Sequence, residues 1–142
     1  MKKQIKKANK EDLKKIAELY KKAFSEAPYN ENWNNRTALE RINFYYKSKE
    51  IFIIKADSKI IGFIISAIEP WYNADRGVIT EIVIDKNFRK HGFGEMLIKY
   101  VEDSYTKKGV KSIFIEAMDK SLNYFKKFNY IHAWNVIMKN LK

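Results

Sequence analysis

Ile84-Asp85-Lys86-Asn87-Phe88-Arg89-Lys90-His91-Gly92-Phe93-Gly94-Glu95 is the stretch on which the reading of this 142-residue chain turns. Before it lies Val78 to Ile84, a strand whose near-continuous apolar half implies burial on both faces. After it the period becomes helical, with Phe93, Met96, Leu97, Tyr100, Val101 and Ser104 on one face of a helix over 93 to 108. Gly109 follows where a left-handed C-cap belongs. Between strand and helix stand two alternating glycines, which let a backbone approach a ligand because no Cβ intervenes. The N–H groups and dipole of a first helical turn favour an anion, and Arg89, Lys90 and His91 add side-chain charge. The pattern describes a pyrophosphate cradle; a tight strand-to-helix turn with a solvated basic rim reads equally well from these residues alone. A dinucleotide fingerprint would need glycine where Leu97 stands, and the Gly-Lys-Ser/Thr of a Walker loop is absent.

Outward from this loop, Gln4 to Ala8 reads as a strand. Asn9 and Asp12 form a shortened capping box ahead of a helix over 11 to 24, with Leu13, Ile16, Ala17, Tyr20, Ala23 and Phe24 on its buried face. Pro28 ends that pattern, and a second helix carries Ala38, Leu39, Ile42 and Tyr45 or Tyr46. Ile51 to Ala56 and Ile60 to Ile68 are β-branched runs about Asp57-Ser58-Lys59, a hairpin. Pro70 to Gly77 is a polar and aromatic loop. Beyond Gly109 come a strand over Ile113 to Ala117, a short helix over Leu122 to Phe128 and a last strand over Tyr130 to Met138. The order β-α-α-β-β-β-α-β-α-β is an α/β (α+β) chain with a mixed sheet, in which the helix over 93 to 108 joins two parallel strands by a right-handed crossover. No repeat, linker or boundary interrupts it, so a single domain over 1-142 is expected.

Composition excludes several chemistries. With no cysteine, disulfides, thiolate metal sites and cysteine nucleophiles are absent. Two histidines, His91 and His132, make no metal cluster, so no metal is expected. The longest apolar stretch, Ile60 to Ile68, is far below the roughly 18 residues of a membrane span. The N-terminal MKKQIKKANKED lacks the apolar region of a secretory signal, and a soluble, cytoplasmic protein with no membrane partner is expected. The net charge of +11 admits nucleic acid, an anionic membrane surface or a polyanionic small ligand. Lys outnumbers Arg 24 to 4, however, which reads as coding bias, and no nucleic-acid motif accompanies it.

Arg89-x-x-Gly92-x-Gly94 resembles the Arg/Gln-x-x-Gly-x-Gly/Ala motif of the GNAT family of N-acetyltransferases. Glu81-Ile82-Val83-Ile84 looks like the family's preceding strand and Met96-Leu97-Ile98 like its helix. Tyr124-Phe125-Lys126-Lys127-Phe128-Asn129-Tyr130 is similar to the common Leu/Phe-Tyr-Glu-Lys-Leu-Gly-Phe ending. The element order matches the GNAT fold along nearly the whole chain. Phe24-Ser25-Glu26-Ala27-Pro28-Tyr29-Asn30-Glu31-Asn32-Trp33 further resembles the Phe…Pro-Trp-x-Glu-x-Trp signature of an aminoglycoside 6'-N-acetyltransferase-like branch.

The resemblance implies acetyl-CoA as cosubstrate, lying where the parallel strands over 78 to 84 and 113 to 117 part. Backbone groups of Ile82, Val83 and Ile84 would pair with the pantetheine arm, and Arg89, Lys90, His91, Gly92, Phe93 and Gly94 would hold the pyrophosphate. The partners implied are thus a coenzyme A thioester and an amine acceptor. Glu81 is the best-placed general base, against the alternative of an exposed or ion-paired strand carboxylate. The family's usual acid, a tyrosine, aligns with Phe125; Tyr124 stands one residue earlier and about 100° round the helix. Met118 replaces the family's usual asparagine, leaving Asn123 as a cofactor contact. The acceptor site falls to the 28 to 33 and 70 to 77 loops, with Tyr29, Glu31, Trp33, Glu69, Trp71, Tyr72 and Asp75 suited to a cationic amine. Alternatively, Trp33 and Trp71 close the edge of the core.

The reading is an N-acetyltransferase acting directly on a primary amine of a small molecule or peptide. The alternatives are an acyl-CoA-binding module without catalysis, motivated by Phe125, and, last, a basic nucleic-acid-binding protein. The final strand admits pairing across a homodimer or an ordinary place in the sheet.

Overall fold

A computed structural model of the chain describes residues 1–116, 121–133 and 138–141. Among these residues five strands lie in the order β1-β2-β3-β4-β5: β1 (Lys3–Lys7), β2 (Glu50–Ala56), β3 (Lys59–Glu69), β4 (Arg76–Ile84) and β5 (Ile113–Ile115). The first four are antiparallel neighbours, and β5 runs parallel to β4. Four α-helices of the described residues accompany them: α1 (Leu13–Ser25), α2 (Asn35–Ser48), α3 (Phe93–Lys107) and α4 (Leu122–Lys126). The mixed sheet with its helices agrees with the architecture expected from the sequence.

Local chemistry sets the element ends. Asn9 N–H donates to the Asp12 carboxylate at 2.8 Å, closing the expected capping box before α1. The side chain of Asn34 accepts from Thr37 N–H at 2.9 Å to start α2. Asp57 and Ser58 both have positive φ, as a two-residue hairpin turn between β2 and β3 requires. Gly109, at φ 84°, ends α3 while Val110 N–H bonds back to Tyr105 O at 3.0 Å.

Alternation along the strands divides the core into two layers. Ile51 and Ile53 of β2 pack toward α1 and α2, with Ile16, Tyr20, Ile42 and Tyr45. Phe52 and Ile54 pack toward α3, with Leu97, Ile98, Val101 and Tyr105. One buried polar thread crosses this packing: the Tyr105 hydroxyl meets Ser66 Oγ at 2.7 Å and donates to Glu50 at 3.0 Å.

At the C-terminal end, β5 is shorter than the expected Ile113 to Ala117, and Ala117 lies outside the described residues, as does Met118. Of the expected strand over Tyr130 to Met138, residues 134–137 lie outside the described residues. Tyr130 to Ala133 and Met138 carry no strand pairing. Tyr130 is engaged elsewhere: its N–H bonds to Phe125 O at 3.3 Å and its hydroxyl to Glu102 at 2.8 Å, which folds the chain back beneath α4.

Gly62 permits the close approach of β3 to the end of β4. A Cβ there would lie 2.7 Å from Val83 O and 2.6 Å from Ile84 Cδ1. Gly62→Ala is therefore expected to destabilise the protein by about 1–3 kcal/mol through overpacking, read as a lower urea midpoint at unchanged slope.

Candidate active site

The cleft begins with one extra residue. Ile65 pairs with Glu81 but Ser66 pairs with Ile79, so Thr80 is a β-bulge in β4. The bulge resets the alternation: Ile79, Ile82 and Ile84 pack on the α3 side, whereas Val83 belongs to the α1/α2 side. Pairing with β5 stops at the same place. Glu116 N–H donates to Ile79 O at 3.1 Å, and beyond that bond the two parallel strands have no further register among the described residues. The β4 edge from Thr80 to Ile84 thus faces a cleft of about 1520 Å³.

At one end of this edge sits the basic loop. Arg89 is exposed, and its Nε donates to Ile84 O at 2.9 Å, tying the loop to the strand end. Lys90 and Gly92 have positive φ, 64° and 82°, which turns the chain into α3. The first bond of α3 runs from Met96 N–H to Gly92 O, leaving the N–H groups of Phe93, Gly94 and Glu95 ahead of the helical ladder. A side chain at Gly94 would run into the Tyr124 hydroxyl. Arg89, Lys90, Gly92, Phe93 and Gly94 line the cleft; Phe93 is also buried in the α3-side core. His91 does not line it: flanked by the two positive-φ residues, it is exposed.

Glu81 lines the middle of the cleft. Its Oε2 is buried without a hydrogen-bond partner, and burial pushes the carboxyl up to about 7. Arg41 of α2 works against that rise, while Glu31 and Glu116 add to it. Arg41 lines the same cleft, its guanidinium 4.6 Å over the Tyr45 ring, and its Nε is likewise buried and unpartnered. Thr80 Oγ1 is a third such atom. Neither Glu81 nor Arg41 forms an ion pair among the described residues, so the ion-paired alternative for Glu81 does not describe this carboxylate.

On α4 the two aromatic neighbours separate. Phe125 is 7% exposed and sits in the α3-side core at the floor of the cleft, whereas Tyr124, 38% exposed, turns its hydroxyl toward Gly94. The 100° between adjacent helical positions thus brings Tyr124, and not Phe125, to the loop. Burial raises the Tyr124 phenol above its ordinary value, and it remains protonated at neutral pH. Asn123, two positions from Phe125, faces solvent and does not line the cleft.

Of the expected acceptor residues, Tyr29, Glu31 and Trp33 line the cleft, with Trp33 Nε1 donating to Glu31 at 2.7 Å. Trp71, Tyr72 and Asp75 do not, and neither does Glu69. Their loop joins the opposite end of β4, where Arg76 stacks 3.8 Å over Trp71 and bonds Glu69 at 3.1 Å. Val83 points its side chain into the core. Sequence reasoning missed Arg41 and Thr80. Arg41 carried a signal, a lone arginine three residues after Ala38 and one before Ile42 on a buried face; a bulge at Thr80 has no comparable mark.

Comparison with known proteins places this geometry. Residues 13–130 match the model of the Acetyltransferase (GNAT) family. A possible acetyltransferase from Clostridium difficile 630 superposes with TM-score 0.83 at 15% identity, over 99% of this chain and 98% of the other. A GNAT family acetyltransferase from Staphylococcus aureus gives 0.77 at 20%, over 99% and 100%. The aminoglycoside N-acetyltransferase AAC(6')-Iy in complex with CoA gives 0.77 at 19%, over 99% and 95%. At these identities the likeness is one of fold.

A carboxyl raised from 4.5 to about 7 means that the folded chain holds a proton the unfolded chain has released over that interval, so stability falls as pH rises through it. Glu81→Gln removes this term. Between pH 4 and pH 8 the variant should gain up to roughly 3 kcal/mol on the parent, measured by urea unfolding at both pH values.

Proposed function

This chain belongs to the acetyltransferase (GNAT) family, and on that premise we propose that it transfers an acetyl group from acetyl-CoA directly to a primary amine, with Glu81 as general base. One observation carries the proposal: a buried, unpartnered carboxylate and an open strand edge share a single cleft with a glycine-rich helix start. The residues present suit a coenzyme A thioester. Open N–H groups and the positive end of α3, with Arg89 and Lys90, favour a pyrophosphate. The free edge of β4 offers main-chain partners to a pantetheine arm, which is why Ile82, Val83 and Ile84 need no particular side-chain chemistry. Gly92 and Gly94 keep this approach clear.

Bound acetyl-CoA supplies the thioester carbonyl that an amine attacks. Alkyl amines are protonated at neutral pH, so a base must act first, and a carboxyl near 7 is matched to that task. Glu81 takes the proton from the ammonium group. A main-chain N–H of β4 polarises the carbonyl. Tyr124, held protonated beside Gly94, is the donor toward the departing sulfur. The absence of cysteine rules out an acyl-cysteine step, which agrees with direct attack.

Calorimetric titration with acetyl-CoA should give a saturable heat for the parent and none for Gly92→Trp or Gly94→Trp; no binding by the parent, or binding indifferent to both changes, overturns the cofactor assignment. Thiol release with an amine panel then tests transfer. The rate should rise with pH through about 7 as Glu81 loses its proton, and Glu81→Gln should lower it about 10²–10⁴-fold and abolish that limb. Acetyl-CoA binding without turnover of any amine overturns catalysis and leaves a binding module.

A further inference from the structure

Buried polar atoms without partners are rare in folded proteins and call for a reason. Among the described residues three such side-chain atoms, Arg41 Nε, Thr80 Oγ1 and Glu81 Oε2, line one half of one cleft. This half lies apart from the basic loop that suits the pyrophosphate. Within it a cation and a carboxyl are held close enough for Arg41 to work against the upward push on the Glu81 carboxyl, yet they form no ion pair among the described residues. Burying two opposite charges without joining them costs more than burying a joined pair. The guanidinium faces the Tyr20 and Tyr45 hydroxyls, but its Nε is left over, and the arrangement becomes favourable when a ligand supplies an ammonium for Glu81 and an oxyanion for Arg41 Nε and the Thr80 hydroxyl.

The remaining wall of this half is aromatic. Tyr20, Phe24, Tyr29 and Trp33 form a connected group, with ring centroids 4.6 Å apart for Tyr20–Phe24, 5.0 Å for Tyr20–Trp33 and 4.8 Å for Phe24–Tyr29. All four line the cleft. The rings offer apolar and edge-to-face contact to a hydrophobic side chain. Trp33 Nε1 donates to Glu31 at 2.7 Å, which ties that carboxylate to the aromatic wall. A polycation would moreover approach against the net charge of +11 and meet Arg41 inside.

We infer that the acceptor is a zwitterionic α-amino acid with an aromatic or branched aliphatic side chain, its carboxylate held by Arg41 and its amine presented to Glu81. The inference rests on the acetyl transfer proposed above and gives that reaction its substrate class. In the step, one ammonium proton passes to Glu81 and the freed amine forms the N–C bond. The C–S bond breaks with its electron pair on sulfur, and the second nitrogen proton ends there as the thiol. Glu81 returns its proton to solvent. The products are an N-acetyl amino acid and coenzyme A.

The experiment compares matched acceptors by thiol release at saturating acetyl-CoA: phenylalanine with phenethylamine, leucine with isoamylamine, and O-phosphoethanolamine with ethanolamine. Each amino acid should show a KM at least tenfold below that of its decarboxylated partner, with no such preference in the phosphate pair. Arg41→Met should bring the KM ratio within the carboxylate pairs to about one. Arg41→Lys, which keeps the charge without the Nε donor, should restore part of it and serves if the Met variant does not fold. The ratio within a pair cancels a general loss of active protein. Turnover with equal KM values, or a preference for the decarboxylated amines, overturns the inference and leaves acetyl transfer standing. A preference confined to the phosphate pair overturns the amino-acid assignment, and one that survives both Arg41 variants overturns the role of Arg41. Turnover of no amine by a protein that binds acetyl-CoA overturns the transfer reaction itself.

Discussion

Thr80 is inserted into β4 without a partner on β3, and the direction of the cleft carboxylate follows from that one extra residue. In an uninterrupted strand, side chains two apart share a face. Ile79 faces α3, so Glu81 would face α3 too and enter a layer made of Leu97, Ile98 and Val101. With the bulge, Ile82 and Ile84 take that layer, and Glu81 turns with Val83 toward α1 and α2, where Arg41 lies. The same distortion coincides with the last hydrogen bond to β5. A single backbone irregularity therefore sets the direction of the carboxylate and frees the strand edge beside it.

The cost of this design falls on the cleft and is offset in the two core layers. A carboxyl raised to about 7, an unpartnered guanidinium nitrogen and an unpartnered hydroxyl all oppose folding. Against them stand side chains with no exposure at all, among them Ile16, Ile42, Ile53 and Phe63 on one layer and Ile64, Leu97 and Val101 on the other. The elements that carry the polar atoms, α2 and β4, are also anchored in these layers through Ile42, Tyr45, Ile79 and Val83. The unsatisfied groups are thus held in place by packing that does not depend on them.

Much of the fold was legible because its signals are periodic and local. The helical spacing from Leu13 to Phe24, the β-branched runs about Asp57-Ser58 and the change of period at Phe93 each report an element that forms where it is read. The glycine-containing turn into α3 was legible for the same reason, since glycine spacing and backbone conformation lie within ten residues. What escaped depends on contacts distant in sequence. Arg41 and Glu81 are forty positions apart, and their relation is set by how α2 lies on the sheet. His91 and Asn123 stand next in sequence to residues that line the cleft, but both are exposed and outside its lining. For Trp71 and Tyr72, aromatic composition pointed to a binding loop, but that loop sits at the far end of β4.

The charge of the chain divides along the same line. Lysine accounts for 24 of the 28 basic residues and contributes mostly diffuse surface charge. The four arginines each have a defined setting: Arg36 pairs with Glu40 at 2.8 Å, Arg76 lies between Trp71 and Phe114 while bonding Glu69, Arg89 bonds Ile84 O, and Arg41 lies over Tyr45 in the cleft. A guanidinium is planar, more weakly hydrated than an ammonium and able to donate in several fixed directions, so it tolerates burial beside aromatic rings where lysine would not. In a sequence that uses lysine almost everywhere, each arginine marks a position where charge alone does not suffice and the geometry of the donor matters. Two of those four positions are in the cleft, one at each end of the exposed edge of β4.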